Sequence, residues 1–586
     1  MIRYLNYIYS LFFGIAVALF FGITYKYHLH YQEQFQLFVF DWDYFWDKAQ
    51  IPGGFAGWLG RFFTQFYYIS WLGAAIVAFL LVSLQLLVNS VSSRFKKNPM
   101  LYPLSFLPSI VFLIIFCDEN YLLGGLMGLI LVVLAACILF FFRNKLFRLA
   151  YTLIMIPLLY WMCGGVFILF IALALLAEIL YFKQLNKIQY CILLGGSIVF
   201  ALFSPWLANM ILQYPAMRLY WGIEIHRVRL HIPTDLLWAW GAVLLIPLLY
   251  RFIPSIKKAF IVSMILFIAV MFTGGYYLKK SINLDKEAVM AYDYFVRTGD
   301  WDGAIAYGKD HKVNSFISLS SLNLSLAMKD RLTYDAFSFP QYGVAGLVPG
   351  FVRDYTSSLP LAELYYHLDV INVAQRFYFE AMEAIPDQQK SGRSLQRLAE
   401  TNLINGQYEV ASRYLSYLEK TIFYKKWAQE TASYLYNEDK INAHPKWGKA
   451  RKLMCPDERM MYSSDTASLF SILLNLTPEN KMIFDYTAMI FLMDKNVTDF
   501  AQVIELGRRY YSEKLPVIYQ EALLIWCQAS SLDINQLSWR IDTDVLKRFN
   551  EYLGVLRTSK NPKNDLAAKY KNTYWYYNQF GVLPQN

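Results

Sequence analysis

The sequence FDWDYFWD places two aspartates, Asp41 and Asp43, two positions apart among aromatic side chains. Such a pair can hold a divalent cation, or one member can serve as the general base beside a phosphate group. The other interpretation is that both are solvated acids that only help to define the topology of the chain. A bare Asp-x-Asp motif does not choose between these interpretations.

Two later loops add further acids and bases. Asp118 and Glu119 form almost the whole of one short turn between apolar segments. A longer loop supplies Glu224, His226, Arg227, Arg229 and His231. Because a guanidinium group binds phosphate oxygens with two donors at once, Arg227 and Arg229, with His226 beside them, are candidate phosphate ligands.

Long apolar runs must position these loops. A helix needs about 20 apolar residues to cross a bilayer about 30 Å thick. The sequence predicts nine spans, the third and fifth of them short, at about residues 4–25, 69–91, 101–117, 121–142, 149–163, 165–182, 188–207, 235–252 and 259–278. We therefore expect a polytopic membrane protein that has the lipid bilayer as a partner.

The charges of the loops predict the orientation. One set carries cations without acids, namely Arg3; Arg94, Lys96 and Lys97; Arg143, Lys145 and Arg148; Lys183 and Lys187; and Arg251, Lys257 and Lys258. Because cytoplasmic loops carry an excess of Lys and Arg, the N-terminus is expected in the cytoplasm. An odd number of spans then puts residues 279–586 outside, in the periplasm of a bacterium, with the spans in its inner membrane.

The composition agrees with two domains, a transmembrane domain over residues 1–280 and a periplasmic helical domain over residues 281–586. Of the 586 residues, 56% are hydrophobic and only 17% are charged, which is more apolar than one soluble domain requires. The net charge is +10. In the first half of the chain the Lys and Arg residues are spread through short loops, where they set the membrane topology, so no nucleic-acid partner is expected.

An amphipathic helix is predicted near residues 55–68. Small and polar residues fall on one face (Gly57, Arg61, Thr64, Gln65 and Tyr68), and aromatic and apolar residues fall on the other (Phe55, Trp58, Leu59, Phe62, Phe63, Phe66 and Tyr67). A helix of this kind lies flat in the membrane interface.

The second half of the chain predicts an all-α fold of helical hairpins. Ala374, Tyr378, Ala381 and Pro386 stand at offsets of 0, 4, 7 and 12. This spacing resembles the second helix of a tetratricopeptide repeat. The segments from Gly299 to Ala304 and from Gly406 to Ala411 share the turn of that motif. The resemblance implies a degenerate repeat array with a face for an envelope partner, and a helical domain that only braces the membrane part is the alternative.

Two features of this half fit the array less well. Residues 331–360 contain turn formers around an apolar centre without a helical period, which predicts a loop near the bilayer, a lid or a divergent repeat. Cys455 and Cys527 lie in a location that permits a disulfide, and two buried free thiols are the alternative.

The layout of residues 1–250 resembles the C superfamily of membrane glycosyltransferases. The shared features are an acid in a long first outer loop with an interfacial helix, acids between the third and fourth spans, and basic residues in a late loop. The resemblance implies transfer of a sugar from a polyprenyl-phosphate carrier to a cell-envelope glycan or protein. It makes Asp41 or Asp43 the base, Asp118 and Glu119 ligands of a divalent ion such as Mg²⁺ or Mn²⁺, and Arg227 and Arg229 the phosphate clamp.

A second resemblance carries no function. The segment from Ile51 to Ala74, IPGGFAGWLGRFFTQFYYISWLGA, resembles one that recurs in an uncharacterised family of bacterial membrane proteins. A non-catalytic scaffold whose repeat domain binds envelope partners therefore stays beside the enzyme as a hypothesis. A transporter is the third hypothesis. Ion-coupled transport normally needs ionisable residues at the middle of the membrane. Glu178 is almost the only ionisable residue in the predicted spans, and we expect its side chain to reach the cytoplasmic surface.

Overall fold

Helices form almost all of the regular structure in the computed structural model. It describes residues 2–222, 225–227, 231–232, 234–352, 354–454, 465–512 and 514–582. No strand occurs within these ranges, where pairing is limited to two isolated bridges. The predicted all-α class is confirmed.

The chain divides into two compact units. The first contains Met1–Asn283 together with two later segments, Pro386–Gly392 and Lys420–Phe423. The second contains Leu284–Ile385, Arg393–Glu419 and Tyr424–Asn586.

The α-helices of the first unit are α1 (Ile2–Leu19), α2 (Lys26–Glu33), α3 (Trp42–Ala49), α4 (Gly54–Thr64), α5 (Ser70–Phe95), α6 (Leu107–Ile115), α7 (Gly124–Leu139), α8 (Lys145–Cys163), α9 (Phe167–Leu176), α10 (Lys187–Ile211), α11 (Ala216–Trp221), α12 (Leu236–Phe252) and α13 (Ala259–Ser281). One hydrophobic core includes residues from each of these helices except α3.

Five helical stretches of this unit are long and apolar enough to cross a membrane, namely Tyr4–Thr24, Ser70–Phe95, Lys145–Phe182, Lys187–Ile211 and Ala259–Ser281. The predicted fifth and sixth spans together form the 38-residue stretch Lys145–Phe182. Gly164, at φ 66°, separates α8 from α9 within it. The predicted third, fourth and eighth spans correspond to the shorter apolar helices Pro99–Ile115, Gly124–Leu139 and Leu236–Phe252. Several helices can therefore enter a membrane, while nine crossings remain a prediction.

Glu178 does not reach the surface as expected. Its carboxylate is 2% exposed and accepts a hydrogen bond of 2.6 Å from Nε of Arg148, which is fully buried. The Arg148 guanidinium also stacks on the Phe182 ring at 3.8 Å. A buried charge requires such a partner in an apolar surrounding.

The amphipathic helix predicted at residues 55–68 is α4 followed by the 3₁₀ turn Gln65–Tyr68. Gly57, Arg61 and Thr64 are buried in the protein, so the small and polar face packs inward. Helix α7 lies against this face: a Cβ atom at Gly60 would stand 2.5 Å from the Gly124 nitrogen. Helix–helix contacts in membranes favour small residues for this reason.

The α-helices of the second unit are α14 (Leu284–Thr298), α15 (Trp301–Asp310), α16 (Phe316–Met328), α17 (Leu332–Asp335), α18 (Tyr355–His367), α19 (Ile371–Glu383), α20 (Gly392–Ile404), α21 (Tyr408–Leu418), α22 (Lys425–Ala432), α23 (Glu438–Ala443), α24 (Trp447–Leu453), α25 (Thr466–Leu476), α26 (Lys481–Met493), α27 (Val497–Val503), α28 (Val517–Ser530), α29 (Thr543–Thr558), α30 (Pro562–Tyr570) and α31 (Tyr574–Phe580). Cys527 is a buried free thiol. Cys455 lies outside the described residues.

One turn geometry recurs between paired helices of this unit. Gly299, Asp369 and Gly406 have φ values of 71°, 62° and 74°. In each turn, the residue that follows the one with positive φ donates its N–H to the carbonyl of the residue five positions before it, at 2.8–2.9 Å. This is the Schellman arrangement, which satisfies the last carbonyls of a helix and turns the chain back.

The second helix of each pair repeats a small residue at the same place. Ala304, Ala374 and Ala411 follow the three turns by five positions, and all three are fully buried. The absence of a larger side chain there lets the paired helices approach closely.

Candidate metal and phosphate site

Two loops of the first unit meet in a short antiparallel pairing. The turn between α6 and α7 lies beside the described part of the loop between α11 and α12, through an isolated bridge of Tyr121 with His226. The Leu122 N–H donates to the Ile225 carbonyl at 3.0 Å, and the Arg227 N–H donates to the Asn120 carbonyl at 2.8 Å. This backbone pairing sets the positions of the polar side chains around it.

Asp118, His226 and His231 converge beside this pairing. Oδ2 of Asp118 lies 2.9 Å from Nε2 of His226, and the two imidazole rings are 4.3 Å apart between centroids. One ligand atom from each of the three residues lies within 4.8 Å of the other two. Two imidazoles and a carboxylate form a ligand set that occurs in catalytic transition-metal sites.

Asp118 is held in its ionised form. Partial burial opposes the charge, but hydrogen bonds outweigh it and hold the pKa of Asp118 well below its usual range. The donors are His226 and, at 3.0 Å, the Asn120 N–H. An ionised carboxylate is the form that binds a metal ion.

Arg227 borders the cluster with a fixed guanidinium. Its Nε donates to Oδ1 of Asn120 at 2.9 Å, and its Nη1 donates to the Tyr31 hydroxyl at 3.0 Å. The group also stacks on the Phe35 ring at 4.4 Å. A positive charge is thereby held near the three possible metal ligands.

The other predicted residues of these loops differ in outcome. Glu119 accepts a hydrogen bond from Nδ2 of Asn120 at 3.3 Å and does not belong to the three-residue cluster. Arg229 and Glu224 lie outside the described residues.

Asp41 and Asp43 occupy a separate place. Asp41 begins α3 as its N-cap and accepts the Asp43 N–H at 3.0 Å. Its carboxylate also pairs with the Lys420 ammonium group. The hydrogen bonds from Lys420 and from the Asp43 N–H lower the pKa of Asp41, which makes Asp41 a weaker base.

Asp43 is exposed, and no hydrogen bond or ion pair engages its carboxylate among the described residues. The hydrogen bonds and ion pairs described for Asp41 and Asp43 do not reach Asp118. Asp41 is thus bonded to Asp43 and Lys420, whereas Asp118 is bonded to His226 and Asn120.

Sequence reasoning missed two members of the cluster region. His231 joins the ligand set although it was only noted as part of the loop, and Asn120 connects Asp118 with Arg227. The spacing of His226 and His231 within one loop was the available signal. The layout resemblance placed that loop and Asp118 in one site, but no local pattern predicted the contact between His226 and Asp118.

Comparison with known proteins gives one match. A family model described as a family of unknown function, DUF6057, matches residues 1–581. The chain belongs to this family. No curated protein and no solved structure matches it. Membership of DUF6057 confirms the expectation of an uncharacterised family, while the resemblance of residues 51–74 and the resemblance to the C superfamily remain predictions.

Proposed function

We propose that this DUF6057 member is an integral membrane transferase that uses a divalent metal ion to move a sugar from a polyprenyl-phosphate carrier to a cell-envelope glycan or protein. The convergence of Asp118, His226 and His231, with Arg227 beside them, carries the proposal. A metal ion held by the first three residues, together with the Arg227 guanidinium, would stabilise the charge that develops on a departing phosphate.

The donor set indicates the ion. Imidazole nitrogens suit Mn²⁺ or Zn²⁺ better than Mg²⁺, which prefers oxygen ligands. Of the two ions expected from the sequence, Mn²⁺ fits these residues. When bound, it would neutralise phosphate charge, while Asn120 and Tyr31 hold the Arg227 guanidinium in place.

Asp43 is the better candidate for the general base. Asp41 is committed to Lys420 and to capping α3, and its pKa is lowered. Asp43, two positions later in the first turn of the same helix, has no hydrogen bond or ion pair to its carboxylate among the described residues and can accept the proton of an acceptor hydroxyl.

The surroundings support a membrane location. Trp42 and Trp46 of α3 are 74% and 63% exposed, and aromatic side chains of this kind favour the membrane interface. The five long apolar stretches, the shorter apolar helices and the cation-only loops support nine spans with the N-terminus in the cytoplasm. In that topology the second unit lies in the periplasm.

Metal content and glycan profile together test the proposal. Asp118→Asn and His231→Ala should lose the ion measured by mass spectrometry of the purified protein. Both should also fail to restore the glycan of a deletion strain at normal membrane abundance. Asp43→Asn should keep the ion but lose the glycan, because a positioned base contributes about 100-fold to 10,000-fold in rate.

Two variants serve as controls. Asp41→Asn should retain more activity than Asp43→Asn. Asp544→Asn removes an exposed carboxylate in the first turn of α29, in the second unit, and should change neither readout. A normal glycan with Asp118→Asn and with Asp43→Asn would contradict the enzyme.

The second candidate is a scaffold whose second unit binds an envelope partner. The recurrent turns at Gly299, Asp369 and Gly406 and the buried alanines favour it, because they support the resemblance to tetratricopeptide repeats, which bind more often than they react. A scaffold predicts full complementation by the Asp118 and His231 variants.

A further inference from the structure

The sequence of the segment after Arg331 has no helical period. Buried hydrogen bonds nevertheless hold this segment in place as an ordered wall in the second unit. Gln341 donates from Nε2 to the Ala336 carbonyl at 2.6 Å and accepts from Nδ2 of Asn323 at 3.1 Å. The same Asn323 amide donates to the Gly346 carbonyl at 2.9 Å. These bonds are buried, and unmade bonds there would be costly, so they fix the path of the segment.

This wall borders a cleft of about 720 Å³ in the second unit. The other lining residues are Lys571 and those at the end of α15 and just after it, from Gly308 to Asn314. The volume lies in the range of about 300–1,000 Å³ that is typical of small-molecule sites. Three parts of the chain that are distant in sequence therefore converge on a space of ligand size.

The cleft has an excess of positive charge. Lys309, Lys312 and Lys571 are exposed, and none forms an ion pair with another residue in the part of the chain that the structure describes. Arg331 is already paired with Asp335 at 2.6 Å. Asp310 is the one further acid of the lining, so three unpaired ammonium groups face a single opposing carboxylate.

We propose that this cleft binds a ligand that carries a diphosphate or several phosphate groups. Lysine ammonium groups bind phosphate as point charges, and several of them around one space suit a multivalent anion better than a single carboxylate. Phe339 and Tyr342 line the same cleft and provide an aromatic surface for the uncharged part of the ligand. This site does not depend on the cluster at Asp118.

Binding of two probes to the full-length protein tests the inference. Inorganic pyrophosphate represents a free ligand, and farnesyl diphosphate represents a lipid-borne diphosphate. We expect calorimetry at low salt to detect at least one of them. The binding should weaken as salt rises, because exposed charges are screened. Binding of pyrophosphate alone assigns a free ligand, and binding of farnesyl diphosphate alone assigns a membrane ligand.

Lysine substitutions locate the site. Lys312→Ala with Lys571→Ala should weaken binding by about tenfold, since each removes an exposed charge contact. Lys560→Ala with Lys563→Ala removes two exposed lysines of the same unit outside the cleft and should leave affinity unchanged. Absence of binding to both probes, or an equal loss in the control, would overturn the proposal. Unchanged melting temperatures in both double variants ensure that the affinities compare folded proteins.

Discussion

Arg218 and Asp387 form a two-point ion pair across 169 positions of the sequence. Nη1 donates to Oδ1 at 2.9 Å and Nη2 donates to Oδ2 at 2.6 Å, and both side chains are less than a tenth exposed. Asp387 belongs to Pro386–Gly392, which returns to the first unit after the chain has formed α14 to α19. This pair therefore joins a late segment to the helix before the His226 loop.

A second return occurs at Lys420–Phe423. The Phe40 N–H donates to the Lys420 carbonyl at 2.8 Å, and the Lys420 side chain pairs with Asp41. The Phe423 ring stacks on Tyr68 at 4.8 Å. The first unit thus includes two short later segments, Pro386–Gly392 and Lys420–Phe423. No local pattern in residues 1–283 predicts their contacts.

Removal of the Asp387 charge should destabilise the first unit. Asp387→Asn removes the charge that pairs with the buried Arg218 guanidinium, and the loss of one partner of a buried pair costs about 3–5 kcal/mol. We expect a lower melting temperature in detergent and faster proteolysis near residue 387. Lys569→Met, which breaks the exposed pair with Glu551, is the control and should leave the melting temperature nearly unchanged. Equal effects of the two substitutions would contradict the importance of the buried pair.

The contact between α4 and α7 makes a prediction for Gly60. Gly60→Ala puts a Cβ atom 2.5 Å from the Gly124 nitrogen, so the helices must separate, at a cost of about 1–3 kcal/mol. Gly195→Ala is the matched control, because nothing lies within 4 Å of a Cβ atom at that helical position. It should be neutral or stabilise by about 0.5–1 kcal/mol. Thermal unfolding of both variants in the same detergent measures the difference, and an undisturbed Gly60→Ala would contradict the close packing.

Local patterns predicted the helices better than the partners of charged residues. The spacing of Ala374, Tyr378 and Ala381 correctly indicated a hairpin, because helical periodicity is a property of neighbouring residues. The pairing of Asp41 with Lys420 joins residues that are 379 positions apart in the sequence, so it depends on tertiary folding alone. The same is true of Asp118 with His226.

The lengths of the apolar helices show a second limit. Hydropathy located the apolar segments and predicted two spans within Lys145–Phe182, where the structure has one 38-residue apolar stretch that is broken at Gly164. Single-residue backbone conformations of this kind leave little trace in composition. The polar face of α4 was recognised from its period, but the period does not say whether water or α7 covers that face.

Buried Glu521 makes the stability of the second unit dependent on pH. The carboxylate accepts the Tyr574 N–H at 2.7 Å, and burial raises its pKa to about 8, against the opposing effects of that N–H and of Arg548. The native state then holds a proton that the unfolded chain releases near pH 4.5. Stability from this group is therefore full below that pH and is lost as the pH rises through about 8.

Glu521→Gln tests this dependence because the amide keeps an acceptor oxygen but does not titrate. The free energy of unfolding of the wild type should fall more steeply between pH 5 and pH 9 than that of the variant, by an amount on the order of a few kcal/mol. Thermal unfolding of both proteins across this pH range measures the difference. Glu551→Gln, at an exposed carboxylate, should leave the alkaline slope unchanged. Parallel curves for wild type and Glu521→Gln would show that Glu521 does not carry the effect.

Thiol labelling tests the predicted topology at positions that the structure exposes. Ser255 lies in the cation-only loop between α12 and α13, Ser433 follows α22, and both are exposed. In a background without native cysteines, Ser433→Cys should react with an impermeant maleimide in intact cells. Ser255→Cys should react only after permeabilisation, because the positive charge of its loop favours the cytoplasm. The reverse pattern would invert the orientation, and labelling of both in intact cells would mean that α13 does not cross the membrane.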